Sequence, residues 1–200
     1  MKKIYAFLIL ALGLSNLHIS AQDLGDIEAY EKAIKPGVEL TYAVTDKDKH
    51  YNLTVTIKKA GDEVAFAWKT SDPDNKSGSV TMSAGAINEA KAFSNIFTGG
   101  DAKLDKETSL WVSKQVFNDV SANAQATVKV NGATDTVTVL GNTVGNVNLV
   151  LNGEGASVPG YELEGGTAKY TIGFVESVKF PLVYKLDLGW SMVLTEIKNP

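Results

Sequence analysis

The sequence predicts a mainly β fold: one domain, a curved antiparallel sheet or partly open barrel of about ten short strands, with two or three short helices. Three observations carry that expectation. Segments of alternating apolar and polar residues recur at the roughly 8–12-residue spacing of sandwiches and barrels. Turn-forming residues separate them, and glycines stand inside strand-like segments at Gly141, Gly145 and Gly173, where bulges or sharp bends are expected. The third is the apolar ending Phe180–Ile197, which reads as a hairpin around Asp187-Leu188-Gly189. Gly189 would supply the positive φ of a three-residue loop. Leu186 then faces Trp190, Tyr184 faces Met192, and Leu182 faces Leu194, all six on one side. A two-residue loop would mix the faces. So apolar a hairpin needs further strands to cover it.

The N-terminus has a separate logic. Met1-Lys2-Lys3 is followed by an uncharged run of 11 residues, Ile4–Leu14, and by a short segment ending Ile19-Ser20-Ala21. This is the layout of a secretory signal peptide over residues 1–21, and the run is well short of the roughly 20 residues a membrane span needs. No cysteine follows it, so lipid anchoring is not expected. The reading is an exported protein, periplasmic in preference to extracellular, with no membrane span once the signal is removed.

The remaining 179 residues, 22–200, suffice for one domain with a substantial core. Without Lys2 and Lys3, 17 basic residues face 23 acidic ones, a net charge of −6, and none of the basic residues is arginine. An acidic chain lacking the bidentate phosphate-binding side chain is a poor candidate for nucleic acid or anionic lipid. The chain contains no cysteine. Disulfides, thiol catalysis and cysteine metal sites are therefore excluded.

Taken in order, Leu24, Ile27, Tyr30 and Ile34 have near-helical spacing over Asp23–Ile34, and Pro36-Gly37 stops the helix. Val38–Val44 and Tyr51–Ile57 alternate around the charged link Asp46–Lys49, and Val64–Trp68 makes a third strand. A polar loop, Ser71–Gly78, precedes a short strand at Ser79–Ser83. Ala86, Ala90, Phe93 and Phe97 predict a helix ended by Thr98-Gly99-Gly100. A loop leads to a strand at Thr108–Val112, and Ser113 caps a helix carrying Val116, Phe117 and Val120. Strands follow at Gln125–Val130, Thr136–Leu140, Val147–Leu151, Tyr161–Leu163 and Tyr170–Phe174, with a loop expected over Glu154–Pro159.

Chemistry-bearing motifs are sparse. His18 falls in the signal peptide and leaves His50 alone, so neither a histidine zinc site nor a serine triad is supported, and no Gly-x-Ser-x-Gly elbow occurs. Asp72-Pro73-Asp74-Asn75-Lys76 has lysine at the third ligand position of a calcium loop and Ser77 where glycine is required, so a solvated turn is the better reading. Gly153–Gly160 opens like a phosphate loop but lacks the Gly-Lys-Ser/Thr ending and a following helix. Glu162 and Glu164 share a strand face, and a carboxylate-based glycan hydrolase rests on them alone. No catalytic residue, metal or cofactor is expected.

What remains is aromatic. Trp68, Trp111, Tyr184, Trp190 and Met192 are the candidate pocket-lining residues if the curved sheet encloses a small apolar ligand. The competing reading, an ordinary sheet core, is favoured because empty apolar cavities are costly. On that reading Trp190→Ala costs about 3–5 kcal/mol.

Two stretches resemble a known group. Phe180–Leu186 followed by Met192–Ile197 is similar to the ending of an uncharacterised family of exported Gram-negative β-rich proteins, and Glu107–Ser113 resembles their mid-chain strand-to-helix junction. The resemblance implies a curved sheet like that of periplasmic lipoprotein carriers and an envelope location. It transfers no site residue. The function expected is non-catalytic binding of an apolar small molecule or another envelope component. The alternative is an assembly factor acting through strand edges, which need only backbone groups to pair.

Overall fold

The computed structural model describes residues 21–94, 97–130, 132–142, 144–166 and 169–200. Residues 1–20, nearly all of the expected signal peptide, lie outside them, as do Ile96 and Asn131. In chain order the elements are α1 (Ala21–Ala33), β1 (Glu39–Asp46), β2 (Lys49–Lys59), β3 (Val64–Thr70), β4 (Ser77–Met82), α2 (Ala84–Glu89), β5 (Ala92–Phe93), β6 (Gly100–Leu104) and β7 (Glu107–Thr108). There follow α3 (Lys114–Asn123), β8 (Gln125–Val130), β9 (Ala133–Val139), a short 3-10 turn, β10 (Gly145–Leu151), β11 (Glu154–Gly165), β12 (Thr171–Val175), β13 (Val183–Asp187) and β14 (Ser191–Lys198). The fold is mainly β, with fourteen strands among the described residues where the sequence suggests about ten, because pairings such as β5 and β7 are too short to leave a periodic signal.

All strands belong to one sheet, ordered β6-β4-β3-β2-β1-β14-β13-β12-β11-β9-β8-β5-β7. β10 pairs with β11 and, at Leu151 and Ile197, with β14. That closes β10–β14 into a small barrel, with the remaining strands as wings on either side. A second tie joins the far wing to the hairpin: Trp111 bridges Leu182, Val112 N–H donates to Pro181 O at 2.9 Å, and Val183 N–H donates to Leu110 O at 2.8 Å.

Alternation builds the core. In β1–β3 the buried apolar residues are Leu40, Tyr42, Val44, Leu53, Val55, Ile57, Val64, Phe66 and Trp68, each two positions from the next on its strand. Met192, Leu194 and Ile197 continue that layer on β14. Helix α1 sinks Tyr30 into it, Ile34 follows just past the helix end, and the Tyr30 hydroxyl donates to Phe180 O at 2.7 Å. Helix α3 is capped by Ser113, whose Oγ accepts from Val116 N–H at 3.2 Å, and Phe117 joins Tyr161 and Phe174 in an aromatic cluster.

Four local expectations are corrected. The predicted helix over Ala86–Phe97 stops at Glu89: Ala90 turns to extended backbone, and Ala92 and Phe93 pair with Lys129 and Val130 of β8. Their apolar spacing serves a strand. The predicted strand Thr108–Val112 is broken by Leu110, which has a left-handed φ of +60°. The loop expected over Glu154–Pro159 is strand, because Asn152 and Gly153 alone, both with positive φ, turn β10 into β11.

The fourth concerns the final hairpin. Gly189 does take a positive φ, +88°, but the loop is Leu188–Trp190, closed by Leu188 N–H donating to Trp190 O at 2.9 Å. Leu186 therefore faces Met192, and Lys185 faces Val193. Opposite β12, the register steps from Gly173↔Lys185 to Phe174↔Val183, leaving Tyr184 as the extra residue of a bulge. Tyr184 and Lys185 thus share the outer face, while Leu186, Met192 and Leu194 remain inward.

Candidate functional site

The β1–β2 hairpin, the start of the β3–β4 loop and the tip of the β13–β14 hairpin meet at one end of the sheet. Between them lies a cavity of about 200 Å³, lined by Val44, Asp46, Tyr51, Leu53, Thr70, Lys76, Phe97, Thr98 and Trp190. Val44 faces Tyr51, and Leu53 faces Thr70, across adjacent strands, so the inward side chains of three strands form its wall. Thr70 is fixed from both sides. Its Oγ1 accepts from Lys76 N–H at 2.9 Å and donates to the Asp72 carboxylate.

A second, narrower crevice of about 20 Å³ adjoins it, walled by Phe93, Leu110, Val130, Ile172, Leu186 and Leu188 among others. Phe97 and Trp190 line both spaces. Each is half-buried. These two rings form the partition between a mixed-polarity mouth and an apolar interior.

The charges at the mouth are unevenly compensated. Lys76 Nζ lies 3.7 Å from Asp74 Oδ2. Asp46 has no ion-pair partner among the described residues. The Tyr51 phenol is held above its ordinary pKa, first by burial and then by the Asp72 and Asp46 carboxylates.

Of the five pocket-lining candidates, only Trp190 lines the cavity. Trp68 is 3 % exposed and stands behind it, meeting Phe97 edge-on at 5.3 Å between ring centroids. Trp111 is core, stacked on Phe66 at 6.2 Å, and Met192 is fully buried opposite Val44. Tyr184 lies on the outer face, where its ring covers Gly173 and Gly160. The alternation of Tyr51 and Leu53 was sufficient to place both on the inner face. Phe97 and Asp46 carried no comparable signal, since one follows a helix-like spacing and the other sits in a charged turn.

The remaining polar candidates have local roles. His50 Nδ1 lies 3.1 Å from the Oγ1 of Thr45, its register partner across the β1–β2 ladder. Asn75, with φ +49°, donates its N–H to Asp72 O at 2.9 Å in the turn before β4. Glu162 accepts from Lys185 Nζ at 2.6 Å, whereas Glu164 is exposed. Among the described residues no three acidic or histidine side chains converge as a metal site, and no helix is long and apolar enough to cross a membrane.

No family model matches the chain, and no curated protein matches it.

Proposed function

We propose that this chain is an exported, non-catalytic binding protein whose sheet end takes a small apolar molecule. The observation that carries the reading is the shared partition: Phe97 and Trp190 line both the 200 Å³ cavity and the apolar crevice behind it. Large aromatic side chains left half-buried beside a cavity are where an apolar ligand gains most from leaving water. The cavity is smaller than the roughly 300–1,000 Å³ typical of drug-sized sites, so the ligand is small. The signal-like N-terminus supports a periplasmic location. An assembly role through strand edges draws less support, because the end strands β6 and β7 run only Gly100–Leu104 and Glu107–Thr108.

Native mass spectrometry of the protein purified from its own cell envelope tests this. Extra mass that disappears on denaturation and extracts into organic solvent is expected. A bare polypeptide mass, together with no uptake of added apolar probes, would overturn it.

A further inference from the structure

We propose that the ligand is an organic cation whose compact alkylammonium head sits beside Tyr51, Phe97 and Trp190 with Asp46 as counter-charge, its tail lying in the rest of the cavity. This rests on the small-molecule reading above and specifies its charge. Three of the cavity's lining residues are aromatic, and aromatic rings attract a cation through the negative potential of their faces. Two lining residues are charged, Asp46 and Lys76. Lys76 already has Asp74 beside it, whereas Asp46 has no ion-pair partner among the described residues. Asp72 adds a further carboxylate near the Tyr51 phenol. Of the two charged residues that line the cavity, the one without an ion-pair partner is thus the Asp46 carboxylate, with Lys49 opposite it in the hairpin register, and an anionic head beside it is disfavoured. The cavity gives such a ligand two environments: rings and a carboxylate for the head, and Val44 and Leu53 for the tail, while the crevice of about 20 Å³ admits only about one methyl-sized group.

The test compares three probes with one tail, octyltrimethylammonium, octanol and octanoate, by isothermal titration calorimetry below their micelle-forming concentrations. The cation is expected to bind about tenfold more tightly than octanol, with octanoate weakest. Asp46→Asn should lower cation affinity about fivefold and octanol affinity less than about twofold. Asp46 is exposed at the end of β1, so the variant retains the fold, checked by its circular dichroism. Octanol or octanoate binding as tightly as the cation, or an Asp46→Asn variant indifferent to charge, would overturn the cation assignment and leave the apolar-ligand reading standing. Binding of none of the three would overturn both.

Discussion

The ring of Tyr184 rests on the backbone of Gly173: a Cβ built on that glycine would lie 2.6 Å from Tyr184 Cζ. The bulge at Tyr184 turns this side chain outward, and the bare Gly173 backbone receives it. Glu162, Gly173 and Lys185 are register partners across β11, β12 and β13, so the glycine also leaves room for the Glu162–Lys185 ion pair to span two strands. Gly173→Ala is expected to destabilise by about 1–3 kcal/mol in urea unfolding, because the new methyl must displace the ring. Adding Tyr184→Ala should recover part of that loss, a non-additivity that a double-mutant cycle measures. Strict additivity would mean the ring does not depend on the glycine.

The tryptophans should separate by variant. Trp111 is 1 % exposed and wedged between Phe66 and the Leu182 bridge, so Trp111→Ala should cost about 3–5 kcal/mol. Trp190 sits in the hairpin loop, half-buried, and its Ala variant should cost less than about 2 kcal/mol. That replaces the larger loss expected when Trp190 is read as a strand residue. Urea midpoints of the two variants check the contrast, and a Trp190→Ala loss matching that of Trp111→Ala would place Trp190 in the core.

Those same residues show what the sequence could and could not convey. Alternation placed Leu53, Phe66 and Leu194 inward correctly, because the runs Leu53–Ile57, Val64–Trp68 and Met192–Leu194 alternate without a bulge inside them. Ser113 and its helix were equally legible, since a cap needs only its own turn. Tyr184 was misplaced because a bulge adds one residue without any local signature beyond the partner glycine. Trp190 was misplaced because the loop and strand readings of Asp187–Trp190 differ by a two-residue shift of register, Leu186 opposite Met192 in place of Trp190, which preserves the buried face. The 200 Å³ cavity was illegible for another reason: it joins side chains from four separated segments, and nothing in any one segment announces the others.

Tyr30 ties the first helix to the last hairpin across 150 residues of chain, its buried hydroxyl donating to Phe180 O at 2.7 Å. Tyr30→Phe keeps the ring and removes the donor, so the expected loss is about 1 kcal/mol. Amide exchange should quicken in α1 more than in β1–β3, because the helix loses its polar anchor while the sheet keeps its ladder. Uniform acceleration throughout the chain would instead make α1 an inseparable part of the core.

Alkali should unfold this protein through its tyrosines. Tyr184 is raised to about 12, by burial first and then by the nearby Glu162 carboxylate, and Tyr170 is raised to about 12 by burial and Asp135. Burial raises Tyr42 further still. In the unfolded chain each phenol titrates near its ordinary value of about 10. The folded state thus holds these protons more tightly than the unfolded state. Their stabilising contribution is complete below about pH 10 and is lost progressively as pH rises toward the folded values. Melting temperature should be insensitive to these groups between pH 8 and 10 and then fall toward pH 12. Tyr184→Phe removes one such proton, so the variant should lose less stability over that interval than the parent does. Equal losses in parent and variant would show that Tyr184 ionises in the folded protein as freely as in the unfolded chain.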